Sequence, residues 1–599
     1  MCGIFGMYLN RPLTDDDLFL GRRCVAALAH RGPDGQGEWF DRGAGVYLGH
    51  RRLAIIDLSD SSAQPFVGDG QAFVYNGEIY NFKELRRQLE KAGRTFVSNG
   101  DGEVFFQGWQ QWGEAVLEKI DGMFAMARWD GRSITLAVDV FGEKPLFVAE
   151  TYDGVYFSSE IAPLADQLGL MPSISPRLWA AYLSLGFFPQ PQTVYPQVTM
   201  VEPASIVTID RGVRSPARIY WMMPPVSART GRAKPVSDSE LDSLAAALTS
   251  SLSSRLIADV PLALLLSSGI DSALVASLCR YELNVSLDCF TLSFPHGEVT
   301  DESAAARAIA KYMGFNHVVS ESNSELSPRR IVDLLGQPSG NVGILSLEQV
   351  CSQARGLGYK VAITGMGGDE VTWGYAKHQY YWKLRSWYRL PDGVRRLIGS
   401  VVGKLGRRGR RLGLRMRSKR REVYVADKNF PTLDLLRQLP EFAEWIDDEF
   451  LMSSGTNKFP LEMAVPAYEL CRVMPAVHLL CADHASMRHG LELRTPFLNR
   501  DVVNVIASMD PRALLAFGQK SVLRRILTRY LPSGLVDRRK MGFSYPRTAL
   551  VRGAVPTRLP GLSTAIANEL WEHRADGEGW LVNAVRLASA DQFFRDKGN

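Results

Sequence analysis

The sequence contains no C-x-x-C pair. Its seven cysteines, Cys2, Cys24, Cys279, Cys289, Cys351, Cys471 and Cys481, are odd in number and widely scattered. That spacing excludes a zinc ribbon and a disulfide frame, and it fits the reduced thiols of a cytoplasmic protein. A charge-free apolar run of membrane-spanning length is also missing, since the nearest stretch, "LIADVPLALLLSSGI", is interrupted by Asp259 and Pro261. No basic segment followed by an apolar one opens the chain, so a secretory leader is not expected. One-sided charge is absent as well. A net charge of +5 over 599 residues gives no reason to expect nucleic acid as a partner. There is no Gly-Lys-Ser/Thr at the spacing of a Walker A loop and no internal repeat.

What is present implies more than one domain, because 599 residues exceed what a single hydrophobic core supports. Residues 1–210 read as short apolar strands, such as "GVYLGHRRLAII", "QAFVYNGEIYN" and "SITLAVDVFG", punctuated by Gly, Asp and Asn. One helix, "FKELRRQLEKAG", follows Asn81 and ends at Gly93. Antiparallel sheets with a few helices are expected there. Residues 211–237 include the Pro-, Ser- and Arg-rich "WMMPPVSARTGRAKPVS" and read as a linker. From residue 238 to 599 helical patterns alternate with the strands "PLALLLS", "LDCFTLSF" and "KVAITG", which predicts a doubly wound parallel sheet.

Two stretches carry chemistry. The chain opens "MCGIFG", so removal of the initiator methionine would give Cys2 both a thiol and a free α-amine. An amine of pKa about 7.7–8.0 can serve as base for its own thiol. A buried strand-start cysteine would read the same way. The second stretch is "LLLSSGIDSALVA", in which Ser267, Ser268 and Gly269 follow an apolar strand and Asp271-Ser272 open a helix. Backbone amides gathered at a strand's carboxyl end and a helix N-terminus bind phosphate, although a capped turn without ligand has the same letters.

Taken with "AHRGPDG", "GHRRLAIID", "VYNGEIYN", "SNGDGEV", "ITGMGGDE", "HASMRHGLELRTPFLN" and "GQKSVLRRIL", these stretches resemble the glutamine-hydrolysing asparagine synthetase family over nearly the whole chain. The resemblance implies an amino-terminal αββα glutaminase sandwich of the N-terminal-nucleophile type. It also implies a carboxyl-terminal doubly wound ATP-pyrophosphatase sheet with a helical extension. By the same resemblance Cys2 is the nucleophile, Asn76 and Gly77 form the oxyanion hole, and Arg52, Glu78 and Asp101 hold glutamine. Leu265, Ser267, Gly269, Asp271, Ser272, Leu292, Thr364, Gly365, Asp369 and Glu370 match positions for ATP and pyrophosphate. Asp271 and Asp369 match carriers of Mg²⁺, and Lys520 matches the lysine that stabilises charge as an acyl-adenylate forms. Read alone, Asn76-Gly77 is equally a hairpin turn, and Arg52 and Asp101 are equally surface charges. Glutamine, ATP and an acceptor acid are the implied partners, aspartate is the default acceptor, and a homodimer stays open.

The departures from the family pattern lie in the second half. Ser268 and Ala273 replace a glycine and a serine of the loop, and Met366 stands where an acid is usual. Gly336, Gln337 and Asn341 in "LGQPSGN" and Asn499 in "PFLN" stand where acids are common. Missing carboxylates suggest an acceptor without a free ammonium, such as a uronic acid of a surface glycan or a natural-product acid. A glycan-assembly binding protein with an inactive synthetase half is the reading from another class. A basic insertion near 376–422, with no acid between Asp392 and Glu422, suggests a solvated arm or a contact with a membrane or other anionic surface.

Overall fold

The computed structural model describes residues 2–224, 233–294, 301–322, 327–418, 422, 424–425, 429, 432–446, 461–536, 550–551, 555–576 and 578–598. Within the basic insertion, residues 419–421 lie outside the described set.

The amino-terminal half is built of two antiparallel sheets. One runs, edge to edge, through Val198–Met200, Phe147–Thr151, Gly154–Ser158, Gly3–Leu9, Val46–Arg52 and Gly35–Asp41. The other runs through Val213–Arg214, Ser205–Asp210, Ser133–Val138, Gly122–Trp129, Gln71–Ile79 and Phe66–Gly68. Alternation of side chains along these strands puts Ile4, Val46 and Leu48 of one sheet against Val74, Ala125 and Leu136 of the other, closing a dry core between them. Helices cover both outer faces. Asp15–Ala27 starts at Thr14, whose hydroxyl accepts from Asp17 N (3.3 Å) while the Asp17 carboxylate accepts from Thr14 N (2.7 Å). On the opposite face, Phe105 of helix Asp101–Trp112 packs edge-on against Phe73 and Tyr75. This is the αββα layering expected. The helix after Asn81 spans Phe82–Lys91, with Gly93 at φ +87° just beyond. The second sheet also passes residue 210, because Val213–Arg214 and Arg218–Ile219 both pair with Ser205–Asp210 inside the stretch read as linker.

A second capping box, Ser237 with Glu240, opens helix Asp238–Arg255 and the carboxyl-terminal half. Here five parallel strands lie in the order His317–Glu321, Asp288–Ser293, Leu262–Leu265, Val361–Ile363, Glu492–Arg494. The first strand in the chain sits at the centre and its successors add to either side. The strand order therefore reverses at the carboxyl end of Leu262–Leu265, where such sheets open a crevice. The two edge strands escape the periodicity because both are short and polar. Glu492–Arg494 tolerates burial because its charges pair with each other, Arg494 Nε to Glu492 at 2.5 Å.

The halves are tied by polar contacts as well as apolar ones. Lys360 reaches Asp34 (2.7 Å), Asp57 N donates to Asp259 (2.8 Å), and the carboxyl-terminal helix Glu578–Asp596 returns to the first half, where Tyr182 donates to Arg586 O (2.9 Å).

Candidate active site

Cys2 lies at the mouth of the sandwich, immediately before strand Gly3–Leu9, and lines a pocket with Arg52, Tyr75, Gly77, Glu78 and Asp101. Asn76 and Gly77 sit inside strand Gln71–Ile79, which removes the hairpin-turn reading. Asn76 Oδ1 accepts from Cys2 N at 2.8 Å, while its Nδ2, fully buried, has no hydrogen-bond partner among the described residues. Glycine is required at 77, since a Cβ there would come 2.1 Å from Met123 O on the neighbouring strand. Burial pushes the Cys2 thiol above its ordinary range, so the sulfur needs a base to ionise.

The carboxylates and the guanidinium of this pocket are buried, not surface charges. Arg52 is fixed by Ser59 O (2.7 Å) and Asp57 O. The loop that carries those carbonyls is knotted by the Asp57 carboxylate, which accepts from Ser59 Oγ (2.6 Å), Ser62 Oγ (2.8 Å) and Asn99 N (2.7 Å). Asp101 accepts from Tyr75 OH (2.6 Å) and Ile79 N (2.8 Å). Burial raises the pKa of both Glu78 and Asp101, with Glu492 and Asp101 adding to the shift at Glu78 and Arg494, 3.5 Å away, opposing it. Two buried acids that are reluctant to ionise alone suit an incoming ammonium.

Sequence reasoning assigned no role to Arg31, although it stands in the quoted "AHRGPDG". Its Nε donates to Cys2 O (3.1 Å), Nη1 pairs with Glu160 (2.9 Å), and Nη2 pairs with Asp483 of the second half (2.8 Å). The signal was an arginine in a turn-rich segment; what gives it a task is a partner more than 400 residues away in the chain.

At the crevice of the parallel sheet, Ser267 through Ser272 follow the central strand and helix Ile270–Ser277 begins. The loop is closed by its own hydroxyls: Ser267 N donates to Ser272 Oγ (3.1 Å), and Gly269 N donates to Ser267 Oγ (3.1 Å). Ser268 N donates to Glu302 (3.1 Å), a residue the sequence reading did not single out. Across the crevice, the loop after Val361–Ile363 comes so close that a Cβ on Gly365 would lie 2.6 Å from Ser272 N, and one on Gly368 would lie 2.6 Å from the Asp271 carboxyl carbon. Lys520, a residue at φ +52° that precedes helix Ser521–Leu527, is buried with its ammonium between Asp271 and Asp369, 3.0 Å from the latter. Its pKa is nevertheless raised: burial pulls it down, and the two carboxylates more than offset that. Two carboxylates facing one ammonium are hard oxygen donors of the kind that Mg²⁺ takes. Leu265 and Leu292 lie near the carboxyl ends of their strands, and Thr364 follows the strand beside them, its N–H donating to Arg494 O (3.0 Å). Glu370 accepts from Tyr375 OH (2.6 Å), with His478 at 3.8 Å.

Five of the departures from the family pattern have a defined place in the fold. Gly336 ends helix Pro328–Leu335 at φ +66°, and a Cβ there would lie 2.5 Å from Ile161 of the first half, so glycine is a packing requirement. Asn499 caps helix Arg500–Ser508 through Asp501 N (2.8 Å) and donates to Asp121 (3.1 Å); an acid there would face another acid. Gln337 accepts from Val194 N (3.4 Å). Asn341 lies beside Cys481, 3.4 Å from its sulfur. Met366 packs among apolar neighbours next to the crevice, its N–H donating to Thr364 Oγ1 (3.4 Å).

Fold and pockets together define a glutamine amidotransferase unit with an amino-terminal cysteine, joined to a parallel-sheet unit with a nucleotide-type crevice. Residues 1–221 match the glutamine amidotransferase domain family, and residues 243–566 match the asparagine synthase family. The chain is 31% identical over 555 residues to a Mycobacterium tuberculosis protein, covering 88% of this chain and 83% of that one. It is 29% identical to asparagine synthetase [glutamine-hydrolyzing] 1 of Bacillus subtilis over 91% of this chain and 87% of that one. Against the asparagine synthetase of Sandersonia aurantiaca it is 27% identical, over 91% and 86%. The chain belongs to the asparagine synthase family of glutamine-hydrolysing ligases.

Proposed function

We propose that Cys2 draws ammonia from glutamine and that the crevice around Lys520 activates the carboxylate that receives it. The thiol, deprotonated by its own α-amine, adds to the amide carbon; the C–N bond breaks, and ammonia departs with the proton. Water then cleaves the thioester to glutamate and restores the thiol. The unpaired Asn76 Nδ2 and the Gly77 N–H serve the oxyanion, a contact whose loss costs about 10²–10³ in rate. Arg52 takes the glutamine carboxylate, and Glu78 and Asp101 take its ammonium.

In the second half, the acceptor carboxylate attacks the α-phosphorus of ATP and pyrophosphate leaves into the loop of Ser267, Gly269, Asp271 and Ser272. Ammonia then attacks the acyl carbon, AMP departs, and one proton is released. Lys520 stabilises the charge that develops on the phosphate oxygens. Leu265, Leu292, Thr364 and Gly365 line the adenosine, and Glu370, held by Tyr375 OH, stands with Asp369 on the acidic side that faces the phosphates. Mg²⁺ brought in with ATP would be held by Asp271 and Asp369 and would neutralise the pyrophosphate. The observation that carries this reading is the single cluster formed by Lys520, Asp271 and Asp369, residues far apart in the chain. An inactive synthetase half would have no use for it. A supply of ATP and reduced thiols accords with the cytoplasm.

Aspartate is the family's default acceptor. A second reading, an acid without a free ammonium such as a uronate, is favoured by Met366, an apolar residue beside the crevice where the family commonly has an acid. Asn341, by contrast, has a local task, its Oδ1 accepting from Gly343 N (3.1 Å) where helix Gly343–Gly356 starts. Purified enzyme given ATP, Mg²⁺, ammonium and each of a panel of acids decides between them through pyrophosphate release. Asparagine formation unmatched by any other acid supports the default, and preference for a uronate supports the second reading. Cys2→Ala abolishes glutamine-driven turnover in either case while leaving the ammonium-driven reaction intact; retained glutamine hydrolysis would refute the nucleophile.

A further inference from the structure

Beyond helix Ala376–Leu384, the chain forms a helical hairpin, Asp392–Val402 followed by Gly406–Arg417. Its seam is made by small residues: a Cβ on Gly413 would lie 2.4 Å from Gly399 O, and one on Gly409 would lie 2.5 Å from Val402 O. Arg395 faces the same seam, buried, with Nη1 donating to Ser418 O at 3.0 Å. Because Arg395 and Gly399 make the contact, the apolar residues of the first helix stand elsewhere. Val394, Leu397, Ile398 and Val401 recur at helical spacing, Leu405 continues the line into the turn, and all five are exposed, Leu397 and Leu405 by 70% and Val401 by 59%. A stripe about 100° wide is left without a partner among the described residues.

The charge that follows this stripe in the chain is of one sign, and the acid that opens its helix, Asp392, is paired with Arg395. Residues 403–421 contain ten Lys and Arg and no acid, and Lys404, Arg410, Arg411 and Arg417 are exposed on the described part. We infer that this hairpin docks the protein on an anionic phospholipid bilayer, with the apolar stripe among the acyl chains and the guanidinium groups at the phosphates. Apolar residues on one face of a helix with arginine beside them is the pattern of helices that lie in the membrane interface. No helix among the described residues is long and apolar enough to cross a membrane, so the contact is with one leaflet. The two features select this occupant jointly. Nucleic acid would satisfy the arginines and leave the stripe wet, and a second copy of the chain would bury the stripe while bringing like charges together.

Co-sedimentation of the intact chain with vesicles tests the inference. The protein should pellet with vesicles of phosphatidylcholine and phosphatidylglycerol and remain in solution with phosphatidylcholine alone. Leu397→Ser with Leu405→Ser, and separately Arg410→Glu with Arg411→Glu, should each weaken partition by about tenfold or more, with glutaminase turnover unchanged as evidence of folding. Three results overturn the inference: a parent protein that stays in solution with anionic vesicles, serine variants that bind as the parent does, or a concentration-dependent dimer that the serine variants abolish.

Discussion

At the scale of single residues, the most informative position is Asn499, whose sequence and structural readings differ. The sequence presents it as a lost acid of the acceptor site, whereas its side chain caps helix Arg500–Ser508 and donates to Asp121 across the junction of the halves. Asn499→Asp keeps the cap and sets two carboxylates against each other. We expect a loss of stability of about 1 kcal/mol or less, smaller at high salt, and no gain in aspartate use. Thermal denaturation at two ionic strengths, alongside the acid panel, checks both halves of that expectation. Gly336 teaches the same lesson, because its positive φ and the nearness of Ile161 are invisible in a linear text. By contrast the motifs that hold Cys2, Arg52, Asn76 and Asp101 were legible, and the fold brings these residues of four separate segments together, Cys2, Arg52 and Asp101 lining one pocket and Asn76 bonded to Cys2 N.

Elements were legible where periodicity was long and hidden where tertiary pairing made them. Helix Asp238–Arg255 announces itself by its capping box and eighteen residues. Strands His317–Glu321 and Glu492–Arg494 do not, being short and polar, with Arg494 held also by the Arg255 and Ile257 carbonyls, far away in the chain. The loop between the central strand and helix Ile270–Ser277 was readable, yet its partners Glu302 and Lys520 come from other elements. Those partners define its test. Asp271→Asn removes one of the two carboxylates around Lys520, so pyrophosphate release should fall by at least about 10² while glutamine hydrolysis stays near the parent rate. Assaying both products from one preparation separates the outcomes, and parallel loss of both would mean that the substitution had disturbed the fold.

On the scale of the whole molecule, the junction between the halves is built from buried polar groups, and this makes its stability depend on pH. Glu143 of the first half accepts from the Thr495 hydroxyl of the second, and burial, reinforced by Asp139, pushes its pKa up to about 8 from 4.5. The folded protein keeps this proton between those values, while the unfolded chain loses it. The contribution is therefore complete below about pH 4.5 and is lost as pH rises through about 8, on the order of 1 kcal/mol per unit at most. Glu143→Gln should flatten that part of the curve when melting temperatures of parent and variant are compared across the window.

Arg31 carries the junction into the chemistry. It grips the carbonyl of Cys2, the residue proposed as nucleophile, with one nitrogen and an acid of helix Leu480–Met487 with another. A genetic map of this protein would consequently not follow its domains. An allele altered at Asp483 would be scored by complementation as a failure to use glutamine, although its lesion lies in the half that handles ATP, and supplying ammonium would mask it.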